Sequence, residues 1–129
     1  MGSLTNDQFE FLHFYYNLLN TIEEGFDYVI DSFTNLDLTD ADQVFKDILV
    51  AFYHVDSSND MLLSLLTEEE SDLVQDVKTF DQVILTLDDE STIYLTPDRH
   101  QAFVRNQLAP VYLAWKEKIQ SKLQPYIAH

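Results

Sequence analysis

The sequence predicts an all-helical protein: an antiparallel up-down-up-down four-helix bundle with long first and last helices, the last kinked at Pro110. Three observations carry this expectation. Apolar residues recur in steps of three and four along most of the chain, the period of a helix with one buried face. Turn formers are scarce, with glycine only at Gly2 and Gly25 and proline only at Pro97, Pro110 and Pro125. An all-β fold needs more of them. Helix-start signals also stand where the periodic segments begin. The 129 residues, 46% of them hydrophobic, suit one domain, 1–129, large enough to bury a core without staples. Its helices are expected at about 6–36, 40–66, 68–88 and 97–127, with an extended linker at 89–96.

The first helix opens on Thr5-x-x-Gln8, a capping box in which each side chain satisfies the other's backbone N–H. Leu12, Tyr15, Leu19, Ile22, Phe26, Val29, Phe33 and Leu36 then form a heptad seam along a rod ~45 Å long at ~1.5 Å rise per residue. The second helix begins after Thr39 or Asp40. Val44, Ile48, Ala51, Val55, Leu62 and Leu65 form its seam, widened by Phe45, Leu49 and Phe52. Ser57-Ser58-Asn59-Asp60 is a weak spot, because these side chains compete for backbone hydrogen bonds. The apolar phase runs through it, which favours one helix.

The third helix opens on Thr67-x-x-Glu70, with acids suited to a positive helix start. Its seam is Leu73, Val77, Phe80, Ile84 and Leu87. Asp88-Asp89-Glu90 read as a stop, since acids are disfavoured at a helix C-terminus. Thr96-Pro97-Asp98 combines a cap, a first-position proline and a first-turn acid. Pro110 lies inside the fourth helix and costs it a backbone bond. Tyr112, Trp115, Ile119, Leu123 and Tyr126 are expected to face inward, with the Tyr112 and Tyr126 hydroxyls at the rim.

The net charge of −16 is unevenly placed. Residues 1–98 hold 22 of the 23 acids and only Lys46 and Lys78 as cations. Residues 99–129 set Glu117 against Arg99, Arg105, Lys116, Lys118 and Lys122. Such a field repels phosphate, so neither nucleic acid nor an acidic membrane surface is expected as a partner. A basic protein partner is compatible with it.

The chain has no cysteine, which removes disulfides, zinc–thiolate sites and a thiol nucleophile, and suits a cytoplasmic location. Its start lacks a basic region followed by an apolar one, so no signal peptide is expected. Met1-Gly2 begins like a myristoylation motif, but Asn6 stands where that motif uses serine or threonine. No apolar run is long enough to span a membrane.

Chemistry-bearing clusters are thin. Glu10-x-x-His13 is one half-motif of a di-metal bundle site, which needs two plus a glutamate on each remaining helix. Asp37, Asp40 and Asp42, like Asp88, Asp89 and Glu90, lack the glycine and twelfth-position glutamate of a calcium loop. His54 near Asp56 and Ser57 has no glycine turn to build an oxyanion hole. His100 is expected to cap or to meet solvent. Two glycines leave no phosphate-cradling loop. No catalytic residue, metal ligand or cofactor is therefore assigned, and the chain reads as a non-enzyme.

The most informative segment is Phe9–Leu19, apolar on most of its circumference. Beside the seam runs a second stripe through Phe11, Phe14 and Leu18, continuing past Gly25 and Tyr28. A helix with two apolar faces is either buried between neighbours or offers one face to another chain. These five residues are the candidate partner or dimer face. The expected function is a non-enzymatic protein–protein interaction module of adaptor, chaperone or inhibitor type. The alternative is a self-associating structural protein. A carboxylate- or metal-site bundle enzyme and a mimic of nucleic-acid charge stand behind both.

Overall fold

The computed structural model describes residues 2–87 and 96–127. Among these the structure is helical, in four stretches of chain, with no strand. The expected stop at Asp88-Asp89-Glu90 and all of the expected linker except Thr96 lie outside the described residues.

Helix α1 (Asn6–Ser32) starts as its sequence dictates. The Gln8 N–H donates to Thr5 Oγ1 and the Thr5 N–H to Gln8 Oε1. It buries Leu12, Tyr15, Leu19, Ile22, Phe26 and Val29, because these positions return to one side every three or four residues. It ends four residues before the expected Leu36. The Asn35 N–H turns back to the Asp31 carbonyl, and Asn35 Oδ1 accepts from the Asp37 N–H. Short polar side chains thus offer the backbone a turn in place of helix, and Leu36 is left exposed.

Helix α2 (Ala41–Leu65) is continuous through Ser57–Asp60. Its buried line is Ile48, Phe52, Val55, Asn59 and Leu62, so Phe52 lies at the centre of the seam, while Val44, Ala51 and Leu65 are half-buried. Asn59 holds its place because its Oδ1 accepts the Tyr15 hydroxyl at 2.5 Å, joining α2 to α1 inside the core. A buried polar side chain is tolerated when it is hydrogen-bonded.

The third stretch is a 3₁₀ turn at Glu68–Glu70, then α3 (Ser71–Lys78) and α4 (Phe80–Leu87). The Thr67 N–H donates to Glu70 Oε1, as the capping motif requires. The helix is interrupted at Thr79, whose hydroxyl donates to the Asp76 carbonyl at 2.6 Å. Phe80 is buried as expected, and beyond it Val83 is buried in the place expected for Ile84, which is half-buried.

The fourth stretch is α5 (Pro97–Phe103), a π-helical segment at Val104–Leu108, and α6 (Ala109–Ile127). The Ala109 N–H reaches back five residues to the Val104 carbonyl. In an unbroken α-helix the Pro110 ring would collide with the Asn106 carbonyl. The wider π turn stands immediately before the proline, which is where that conflict has to be relieved.

Aromatic rings fill the core. Phe52 lies 5.8 Å from Phe80 and 5.5 Å from Tyr112, and Phe80 lies 4.6 Å from Trp115, centroid to centroid. Two polar tips are tied down within this cluster. The Tyr112 hydroxyl donates to the Leu19 carbonyl at 2.7 Å, so it sits in the interior and not at the rim. Trp115 Nε1 donates to the Asp76 carbonyl at 2.8 Å. Burial pushes the Tyr15 and Tyr112 phenols well above their ordinary range.

Candidate functional site

Helix α1 has two flanks beside its buried line. One faces α6 and is polar. The Lys116 ammonium, almost wholly buried, donates to Gln120 Oε1 at 2.8 Å and lies 3.5 Å from a Glu23 carboxylate oxygen. Gln120 Nε2 in turn donates to the Tyr16 carbonyl and to Asn20 Oδ1. An open groove of about 490 Å³ runs along this seam, with Tyr16, Glu23 and Leu113 among its walls. Asp27, close by, has its carboxyl held above the usual range, first by burial and then by Glu23, Asp31 and Glu24. Opposite α3, Lys122 pairs with Asp76. Two cations of the last helix thus meet acids of earlier ones.

The other flank of α1 carries the candidate partner face, and the structure divides it. Phe11 and Leu18 are half-buried and pack on the core cluster. Phe14 projects outward and is 58% exposed. Gly25 is set against α2: a Cβ added there would stand 3.0 Å from Ile48 Cγ1. The close neighbour that a glycine permits is therefore this chain's own second helix. Tyr28 reaches the start of α2, where its hydroxyl accepts the Asp40 N–H at 3.1 Å. The five residues do not form one free stripe; Gly25 and Tyr28 serve the α1–α2 junction, and Phe14 is the member most open to solvent. A shallow, mostly apolar hollow of about 190 Å³ lies at that junction, between Thr21, Gly25, Asp47 and Ala51.

The histidines and acids are dispersed. His13 meets the Phe9 ring edge-on at 4.5 Å, and Glu10 beside it is exposed. His54 is exposed on α2. His100 packs edge-on against Phe45 at 5.0 Å, which replaces the expected capping or solvated role. Among the described residues no three histidines, aspartates or glutamates come together in a way that could hold a metal ion. None of the described helices is long and apolar enough to cross a membrane.

Sequence reasoning missed a second apolar surface. Val50, Tyr53 and Met61 are exposed on α2, Tyr53 by 75%. The signal was nevertheless present, because these three positions lie opposite the Ile48–Phe52–Val55 line at 100° per residue.

The fold and its surfaces define an acidic all-helical protein with apolar side chains open on its first two helices. The chain belongs to the family described as a domain of unknown function, DUF8042, whose family model matches residues 10–118. It is also similar to the uncharacterized protein YvzG of Bacillus subtilis (strain 168), at 27% identity over 121 residues, spanning 94% of this chain and 95% of that protein. No solved structure matches it significantly.

Proposed function

We propose that this chain is a non-enzymatic protein–protein interaction module of adaptor, chaperone or inhibitor type. The observation that carries this reading is the presence of large exposed apolar side chains on two helices that hold ten acids against the single cation Lys46. Phe14 on α1 and Tyr53 on α2 are more than half exposed. Apolar contacts at a desolvated patch supply affinity, and the surrounding field steers and selects the partner. A field of net charge −16 selects a basic one.

The finer architecture belongs to the same proposal. An antiparallel up-down-up-down order is supported by pairings that run in opposite directions along the chain. Tyr15 meets Asn59 while Tyr28 meets Asp40, and Gln120 meets Tyr16 while Phe26 meets Tyr112. A bend at Pro110 is supported by the π-helical segment that precedes it. A cytoplasmic setting rests on the cysteine-free composition, which suits a reducing compartment. Self-association is the second reading. Exposed Phe14 favours it, while repulsion between two copies of charge −16 opposes it.

Affinity capture from cells that make the protein tests the proposal, with an acidic helical protein of equal charge as control. A specific basic protein should be retained at low salt and released as salt screens the field. Retention of nothing beyond the control refutes the module. For the second reading, light scattering should show an oligomer that Phe14→Asp dissociates; a monomeric wild type ends it.

A further inference from the structure

The outward face of α2 is the most continuous apolar surface left without a partner among the described residues. Val50, Tyr53 and Met61 are 54%, 75% and 54% exposed. At 100° per residue they fall within about 80° of arc, directly opposite the buried line of the same helix. The other exposed large apolar residues, Phe14, Leu36, Leu85 and Val111, are scattered over other segments. Isolated exposed residues of this kind are ordinary, whereas a row of them on one helix face is not. Between Tyr53 and Met61 stands Ser57, whose small side chain leaves a gap in the row. The row reads as a seam of apolar knobs with a hole, the pattern by which one helix receives another.

Charge decides what kind of helix fits. Exposed acids flank the seam on both sides, Asp47 on one and Asp56 and Asp60 on the other, while the single cation of the helix, Lys46, stands at the N-terminal end of the row, one turn before Val50. In paired helices such flanking charges set the choice of partner. A second copy of this chain is a poor occupant. It brings a further −16, and three of the five cations of its last stretch are engaged within their own chain. Lys116 faces Glu23, Lys122 pairs with Asp76, and the Arg105 guanidinium lies over the Phe33 ring at 5.4 Å. We infer that the outward face of α2 docks an amphipathic helix of another protein, apolar along one edge and flanked by lysine or arginine. This rests on the interaction-module reading and adds to it a place and a partner chemistry.

The test uses the full chain and a labelled synthetic three-heptad peptide with leucine at a and d and lysine at e and g. A second peptide has glutamate in place of the lysines. Fluorescence anisotropy at low salt should show micromolar binding of the lysine peptide and none of the glutamate peptide. Tyr53→Asp and Met61→Asp should each weaken binding by about tenfold or more, while Leu85→Asp, at an exposed position on α4, leaves it within about twofold. Both α2 positions are exposed, so circular dichroism should show an unchanged fold. The aspartates separate docking from simple charge attraction, because each adds an anion and would tighten a purely electrostatic complex. Undiminished binding in Tyr53→Asp, equal binding of the glutamate peptide, or no binding of the lysine peptide up to about 100 µM overturns the inference. A natural partner still captured by Tyr53→Asp overturns the α2 location and leaves the interaction module standing. Capture of nothing by the wild type overturns the module itself.

Discussion

The Tyr15–Asn59 hydrogen bond gives the sharpest test of how the first two helices are joined. Tyr15 is fully buried and Asn59 is 5% exposed, and the hydroxyl meets Oδ1 at 2.5 Å. Tyr15→Phe keeps the ring and removes the donor, leaving Asn59 Oδ1 in the core without it. An unsatisfied buried acceptor costs about 1–3 kcal/mol. For a chain of this length about 1 kcal/mol lowers the melting temperature by about 4 °C, so a fall of about 4–12 °C is expected. Asn59→Leu should cost a similar amount by stranding the hydroxyl. The double variant Tyr15→Phe/Asn59→Leu strands neither group and places apolar volume where the pair was. It should therefore be more stable than the sum of the single changes implies, with a coupling of about 1–3 kcal/mol. Urea unfolding followed by far-UV circular dichroism reads these differences, provided the slope against denaturant stays constant. A Tyr15→Phe cost below about 0.5 kcal/mol, or strictly additive single changes, would refute the reasoning.

Two further predictions follow from packing and charge. Gly25→Ala should lie within about 1 kcal/mol of wild type, because the gain in helix propensity, about 1 kcal/mol, opposes the approach of the new Cβ to Ile48. Gly25→Leu should cost about 1–3 kcal/mol by overpacking, and a neutral result in thermal melts would mean that α2 is not held against α1 there. The pH dependence should reflect a raised carboxyl. Asp27 is held above its usual range by burial and neighbouring acids, so the folded state binds its proton more tightly than the unfolded chain does. Its favourable contribution is present below the ordinary carboxylate range and is lost as pH rises through the raised value. Asp27→Asn should therefore stabilise the protein at neutral pH, within about 0.5 kcal/mol. The gain should fade at acid pH in urea titrations; a destabilised variant at neutral pH would contradict this account.

Much of the fold was legible because periodicity and capping are local properties. The α1 core from Leu12 to Val29 is the heptad seam read from spacing. The Thr5 capping box formed as written, because both partners lie within one turn. The end of α1 was misplaced because the apolar period continued to Leu36 while the polar residues around Asn35 supplied a turn that competes with helix. Val83 and Ile84 stand three and four residues beyond the buried Phe80, so spacing alone allows either to face the core.

The sequence by itself determined the helical class, the line of residues the first helix buries and the charge contrast between the last helix and the rest. Each follows from residue type and spacing along one helix. Tertiary structure alone decided which apolar surplus is free. Gly25 could serve a partner or a neighbour until α2 was seen against it. Asn59 looked like a weak point until the Tyr15 hydroxyl was found on it. Val50, Tyr53 and Met61 gained significance once their side of α2 was seen to face away from the core. Spacing places a residue on a face of its helix, but what lies against that face depends on residues distant in the chain.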